Sequence, residues 1–247
     1  MIDFELTYKP YGETSILIEW PSKIDKIIIQ DIIAFEKLIT KEQKVISTTI
    51  AYNSILVNYE FMYNYETHYK HVNDFSNSVK RLKELYAERI ITKNNNQKTW
   101  QIPVCYDVEF GLDLEELSQI KNISVEEIIS LHTKPSYLVY FLGFQPGCMY
   151  LGRLNAELHQ PRKATPRLRL DKGSVGIGGE QTGIYPLDSS GGWNIIGKSP
   201  LTFFDVSKSN PCFVKSGDKI QFTPISIDKF YEIQNQVKSD NYKIKFL

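Results

Sequence analysis

The chain has 247 residues, 29 basic and 29 acidic side chains, no net charge and an apolar share of 42%, which suits one large or two small globular domains. A neutral chain lacks the basic excess of a general nucleic-acid grip. Its longest apolar runs, IIIQDIIAF and YLVYFLGF, are too short and interrupted to span a bilayer, and MIDFELTYKP shows no secretion signal, so the cytoplasm is the expected location.

In chain order, TSILIEW is a β-rich run ended by Pro21. Ile24, Ile27, Ile28, Ile32, Phe35, Leu38 and Ile39 then recur at helical spacing. KVISTTIAYNSILVNYE reads as a hairpin broken at Asn53-Ser54. Phe75, Val79, Leu82, Leu85, Tyr86 and Ile90 mark a second amphipathic helix. The order β-α-β-β-α predicts an α+β N-terminal domain over residues 1–93, of ferredoxin-like type. A polar linker follows at 94–98, within KNNNQK.

From 99 to 247 the pattern changes. WQIPVCY reads as a strand. Asp113 with Glu116, and Ser124 with Glu127, each fit the start of a short helix. YLVYFLGF is a near-continuous apolar strand, followed by SVGIGG, TGIYPL, WNIIG, LTFFDV and KIQFTPI between Gly and Pro turns. Many short strands with such punctuation predict a closed barrel or sandwich. The tail from Asp228 is mixed and reads as a short helix or strand.

Cys105, Cys148 and Cys212 are three and widely spaced, which points to neither a disulfide framework nor a zinc site. His68 and His71 stand at i, i+3 without a Cys, Asp or Glu set to complete a metal site. No metal site is expected.

Eleven of the fourteen glycines lie between Gly143 and Gly197, with the cation cluster Arg162, Lys163, Arg167, Arg169 and Lys172, and with Trp193. GFQPGCMYLG matches neither the P-loop nor the dinucleotide pattern, and a structural turn is the favoured reading. GIGGEQTGIYP places Gln181, Thr182 and Tyr185 beside Gly178-Gly179. These groups suit an amide, lactam or carboxylate ligand, and equally a β-bulge or barrel corner. Arg167 and Arg169 alternate on one face of an extended strand. Arginine suits bidentate capture of carboxylate or phosphate, and a charged stretch is also commonly a solvated edge. Trp193 reads as core or as a platform. Cys148 reads as a buried small hydrophobe rather than a nucleophile.

Five ordered blocks carry a resemblance: IPVCYDVEFGLDLEEL, LGFQPGCMYLGRL, PRKATPRLRL, GSVGIGGEQTGIYP and GGWNIIGKSPLTFFD. They resemble the KipI/PxpB family, also labelled allophanate hydrolase subunit 1. The resemblance implies an α+β domain followed by a mainly β, cyclophilin-like barrel. It implies the B subunit of an ATP-dependent 5-oxoprolinase, a hydrolase opening 5-oxo-L-proline to L-glutamate with ATP and Mg2+. Such a protein works only in a hetero-oligomer with a KipA-like C subunit and a LamB/YcsF-like A subunit. Another member of the family inhibits a sensor histidine kinase, which is the alternative. Carried onto the matching positions, Arg167, Arg169, Gln181, Thr182, Tyr185, Trp193, Tyr150 and Lys163 become the expected substrate or interface pocket, with no individual catalytic role assigned. Three positions depart from the family's usual residues: Cys148 in place of Phe, Ser190 in place of Pro, and Gly178-Gly179-Glu180 in place of Ala-Gly-Gly.

Overall fold

Thr7–Tyr11 (β1) turns at Gly12, φ +64°, and pairs antiparallel with Ser15–Glu19 (β2). Lys26–Ile39 (α1), Val45–Ile50 (β3), Ser54–Tyr59 (β4) and His71–Glu88 (α2) follow. The computed structural model describes residues 3–60, 71–91 and 97–247, the side chains of 71–74 excepted. The His68/His71 pair and residues 94–96 of the expected linker lie outside the described residues. The chain divides into two units, Met1–Asn95 and Asn96–Leu247.

In the first unit, periodicity decides which faces are buried. Ile16 and Ile18 on β2, and Ile55 and Val57 on β4, alternate inward. Asp25 caps α1 by accepting the Ile27 N–H at 2.8 Å. The Ile28, Ile32, Phe35 and Ile39 stripe of that helix is fully buried. Each such aliphatic side chain contributes about 1.5–3 kcal/mol by leaving water.

The sheet order is β1-β2-β4-β3, antiparallel throughout. The expected β-α-β-β-α order runs from β2 to α2, and β1 is an addition to it. In a ferredoxin-like unit the strand after the second helix takes the place beside the first strand. Here β1 occupies that place. TYKPY lacked an apolar pattern because it is a largely exposed edge strand. Pro10, which has no N–H, is tolerated at such an edge.

One carboxylate breaks the apolar rule. Asp31 lies on the inner face of α1 and is 0% exposed. Trp20 Nε1 and Tyr86 Oη each donate to it at 2.8 Å, and Arg89 Nε donates at 2.6 Å. Arg89 also donates to the Tyr86 carbonyl and packs 3.4 Å from the centre of that ring. A buried charge is tolerable only when paired and hydrogen-bonded in this way.

The second unit begins with Thr99–Cys105 (β5), Leu114–Lys121 (α3) and Val125–Thr133 (α4). Then come Tyr137–Leu142 (β6), Met149–Gly152 (β7), Arg167–Leu170 (β8) and Ser174–Gly178 (β9). Gln181–Ile184 (β10), Ser189–Gly191 (β11), Asn194–Lys198 (β12), Lys219–Ile225 (β13) and Ile227–Lys238 (α5) complete it. Seven strands close a barrel in the order β10-β7-β6-β13-β5-β12-β9, with β10 paired back to β9. The mainly β barrel expected after an α+β domain is present. Ile102, Val104, Val139, Leu151, Val175, Ile177 and Ile196 are fully buried in its core. β8 and β11 pair with each other outside the barrel ladder.

Ser124 caps α4, accepting the Glu127 N–H at 3.1 Å as its spacing predicts. Asp113 makes no side-chain cap on α3, because its carboxylate is engaged elsewhere. LTFFDV is not a strand. Pro200 and Pro211 bracket it without N–H groups for a ladder, and Leu201 and Phe203 are buried as a plug. The tail resolves into α5, capped by Ser226 and buried through Phe230 and Ile233. No described helix is long and apolar enough to cross a membrane.

Candidate functional site: an aromatic cleft on a glycine lane

Gly176 and Gly183 face each other across β9 and β10, beside the Gly178–Gln181 pair. A Cβ on Gly178 would stand 2.6 Å from the Trp193 indole, and one on Gly183 would stand 3.1 Å from its far edge. The first approach is closed to a side chain and the second would push the ring outward, so glycine here seats the whole indole against the strand backbone. A Cβ on Gly191 would likewise collide with the Tyr185 hydroxyl.

Trp193 thereby becomes one wall of a cleft of about 270 Å³. Tyr185 meets it edge-on, ring centres 6.3 Å apart. Tyr150 also lines the cleft and stacks on Phe141 at 4.2 Å. Phe144 stands at the rim, 80% exposed, on a left-handed backbone (φ 67°) that a bulky residue rarely adopts. Burial pushes the Cys148 thiol up to about 11, so it is protonated at neutral pH and no thiolate nucleophile is available.

Two polar groups in the cleft lack ordinary partners. Gln145 Oε1 is buried and accepts no hydrogen bond. The Arg162 guanidinium lies 5.8 Å from the centre of the Trp193 ring, and no carboxylate lines the cleft. Burial raises the Tyr150 and Tyr185 phenols, and the Arg162 charge opposes that rise at both. The cleft is therefore a positive environment with an apolar, aromatic lining.

Two neighbouring cations of the cluster, Arg167 and Lys163, are neutralised. Arg167 grips Asp113 through two bonds of 2.8 and 2.7 Å, the planar fork matching the carboxylate. Lys163 adds contacts of 2.8 Å to Asp113 and 2.9 Å to Glu116. Asp113 is 3% exposed and also accepts the Ile195 N–H at 2.7 Å, which ties the start of α3 to β12. Burial alone would raise its pKa. Arg167, Lys163 and the Ile195 N–H outweigh that effect and hold the carboxyl below the usual range. Arg169 points to solvent with loose contacts to Asp188 and Asp171, at 3.5 and 3.9 Å.

Thr182 belongs to the barrel interior. Its Oγ1 donates to the Gly176 carbonyl at 3.0 Å and lies 2.8 Å from His132 Nε2. With the threonine proton already used, Nε2–H is the donor, and Nδ1 accepts from Tyr106 Oη at 2.7 Å. His132 is thus a neutral imidazole with its proton on Nε2, and burial lowers its pKa to about 3. Gln181 pairs with Gly178 at the start of β10 and is not in the cleft lining.

Of the eight expected pocket residues, the structure brings together Tyr150, Tyr185 and Trp193. Lys163 and Arg167 share Asp113, while Arg169, Gln181 and Thr182 lie elsewhere. Arg162 and Gln145 were not singled out from the sequence as pocket residues, and no local signal distinguishes them there. Cys148 and Ser190, two of the positions that depart from the family's usual residues, also line the cleft.

Residues 6–214 match the family model "Carboxyltransferase domain, subdomain C and D". The chain is 40% identical over 191 residues to the 5-oxoprolinase B subunit of Bacillus subtilis (strain 168), covering 75% of this chain and 78% of that one. It is 35% identical over 213 residues to the 5-oxoprolinase B subunit of Haemophilus influenzae, covering 86% and 95%. Among solved structures, TTHA0988 superposes with a TM-score of 0.72 at 29% identity, over 86% of this chain. This chain spans 40% of the length of TTHA0988. By this match across both units, the chain belongs to the family of 5-oxoprolinase B subunits, within the carboxyltransferase subdomain C and D fold.

Proposed function

We propose that this chain is the B subunit of a bacterial ATP-dependent 5-oxoprolinase, which converts 5-oxo-L-proline to L-glutamate and is active only with its A and C subunits. The observation that carries the reading is the 35% identity over 213 residues to a relative bearing that name, with 95% of the relative covered. The geometry agrees with a non-autonomous role. The cleft offers a shaped, positively charged surface, yet no histidine or carboxylate stands in its lining beside the protonated Cys148. An acyl-transfer centre of the nucleophile-and-base kind needs that pairing.

A lactam carbonyl is a poor electrophile because amide resonance protects it. Opening it requires groups aimed at the negative charge that develops on its oxygen. This chain supplies binding and orientation, and the partner subunits supply what its own side chains lack. ATP with Mg2+ is a reactant of the complex and is assigned to no residue of this chain. The test is reconstitution with a LamB/YcsF-like A subunit and a KipA-like C subunit, measuring ADP release that depends on 5-oxoproline. Omitting this chain should reduce the rate to background. Undiminished turnover without it would overturn the assignment.

A further inference from the structure

We propose that the cleft binds the lactam acid itself: Arg162 pairs with its carboxylate, Gln145 Oε1 accepts its ring N–H, and the Trp193 face carries its flat ring. This deepens the 5-oxoprolinase reading and rests on it. Three observations lead there.

The first is charge. In the PRKATPRLRL stretch, Lys163 and Arg167 are neutralised by Asp113 and Glu116, and Arg169 faces Asp171 and Asp188. Arg162 has no carboxylate partner among the described residues, and it faces a cleft lined by no acid. An anion is the ligand that such a cleft lacks, and a guanidinium suits a carboxylate.

The second is the orphan acceptor. A buried carbonyl oxygen without a donor carries a desolvation cost that a partner removes. Gln145 Oε1 is in that state at the cleft lining. The matching ligand group is an N–H, which a secondary lactam carries and an ordinary ester or lactone does not.

The third is size and shape. About 270 Å³ lies just under the ~300–1,000 Å³ usual for drug-sized ligands. That admits one small ring with a carboxylate. The walls are flat: Trp193 on the glycine lane, with Tyr185 edge-on and Tyr150 also lining the cleft.

The experiment titrates the full chain by calorimetry with three probes: 5-oxo-L-proline, 2-pyrrolidinone, which lacks the carboxylate, and 5-oxotetrahydrofuran-2-carboxylate, which lacks the N–H. The same variants are then assayed for KM and kcat in the three-subunit enzyme. Arg162→Met should weaken 5-oxoproline by about tenfold or more, the size of one lost charged hydrogen bond. It should leave 2-pyrrolidinone unchanged, and Arg162→Lys should restore part of the loss. Gln145→Leu should weaken the lactam acid and spare the lactone acid. In the complex, Arg162→Met should raise KM with kcat held. A raised KM supports the proposal even where the chain alone binds too weakly to titrate. Unchanged KM in Arg162→Met, with unchanged or absent binding to the chain, overturns the proposal and leaves the 5-oxoprolinase assignment standing. An inactive wild-type complex sinks that assignment instead, and the three-probe titration of the chain then judges the cleft by itself: selective loss in Arg162→Met supports it, and no such loss overturns it. Arg162 is exposed, so its variants should fold, which a melting curve verifies.

Discussion

Asp31 in the first unit and Asp113 in the second are each buried inside a ring of donors, and the two rings differ in kind. Asp31 is sealed: Trp20, Tyr86 and Arg89 surround it, and Arg89 is itself 1% exposed at the side chain. Asp113 is open on one side, since Arg167 and Lys163 reach it from side chains 29% and 22% exposed. The sealed ring is a fixture of a core. The open ring collects Lys163 and Arg167 from a surface segment and leaves Arg162 beside the cleft without a carboxylate. The difference teaches that a cluster of arginines cannot be interpreted without its acids. Arg162 matters because Asp113 and Glu116 have taken its neighbours.

The largest effect should come from opening the sealed ring. Asp31→Ala takes from the buried Arg89 its 2.6 Å partner and keeps the longer contact of 3.3 Å to Asp3, which is expected to cost about 3 kcal/mol. Calorimetry should show it as a marked fall in the melting temperature of the first unit's transition. Replacing both partners, Asp31→Leu with Arg89→Met, should recover most of that loss, because the expense lies in burying one charge of the pair without the other. Failure of the double variant to recover would mean that the hydrogen bonds to Trp20 and Tyr86 carry the stability.

A smaller effect is expected at the open ring. Asp113→Asn should destabilise by about 2–3 kcal/mol, below the full cost of a sealed pair because water can reach the stranded cations. The folded carboxyl has a pKa below its unfolded value. Its contribution is therefore fully present above the unfolded pKa, and it is lost as pH falls through the folded one. The wild-type protein should lose stability on that acid limb more steeply than Asp113→Asn does. Parallel acid limbs for the two proteins would contradict the assignment of the shift. The smallest effect belongs to Arg169→Ala, whose side chain is 77% exposed with contacts of 3.5 Å or longer. Urea unfolding should place it within about 0.5 kcal/mol of wild type, and a larger loss would show that the surface pairs are better formed than their distances imply.

The parts legible in the sequence are those whose physics is local. The stripe of α1, the alternation of β2 and β4, the Ser124 cap and the succession of short barrel strands all followed from period and punctuation. β1 did not, because an edge strand needs no apolar face and can hold a proline. Asp113 followed the local signature of a helix cap, and its true partners lie 54 residues onward at Arg167 and 82 onward at Ile195. The same distance hid the cleft. Tyr150, Tyr185 and Trp193 stood out as chemistry-bearing residues, while Arg162 was one arginine among several until the acids were placed. The glycine concentration allowed two readings, tight turns or a binding face. At Gly178 and Gly183 it is neither alone: the strands are stripped of side chains so that an indole can lie on them.

The place of β13 in the barrel has a consequence for folding. It lies between β6 and β5, parallel to β5 along seven paired residues from Thr99↔Lys219 to Ile225↔Cys105. Those partners are about 120 positions apart in the chain, and contacts of such separation are slow to form because a long loop must close first. While the chain is being synthesised, β5 emerges early and must wait with an unpaired edge until Lys219–Ile225 appears. Such an edge invites pairing with other chains. The yield of folded protein should therefore be most sensitive to temperature and to chaperone supply during that interval, whatever the stability of the finished barrel.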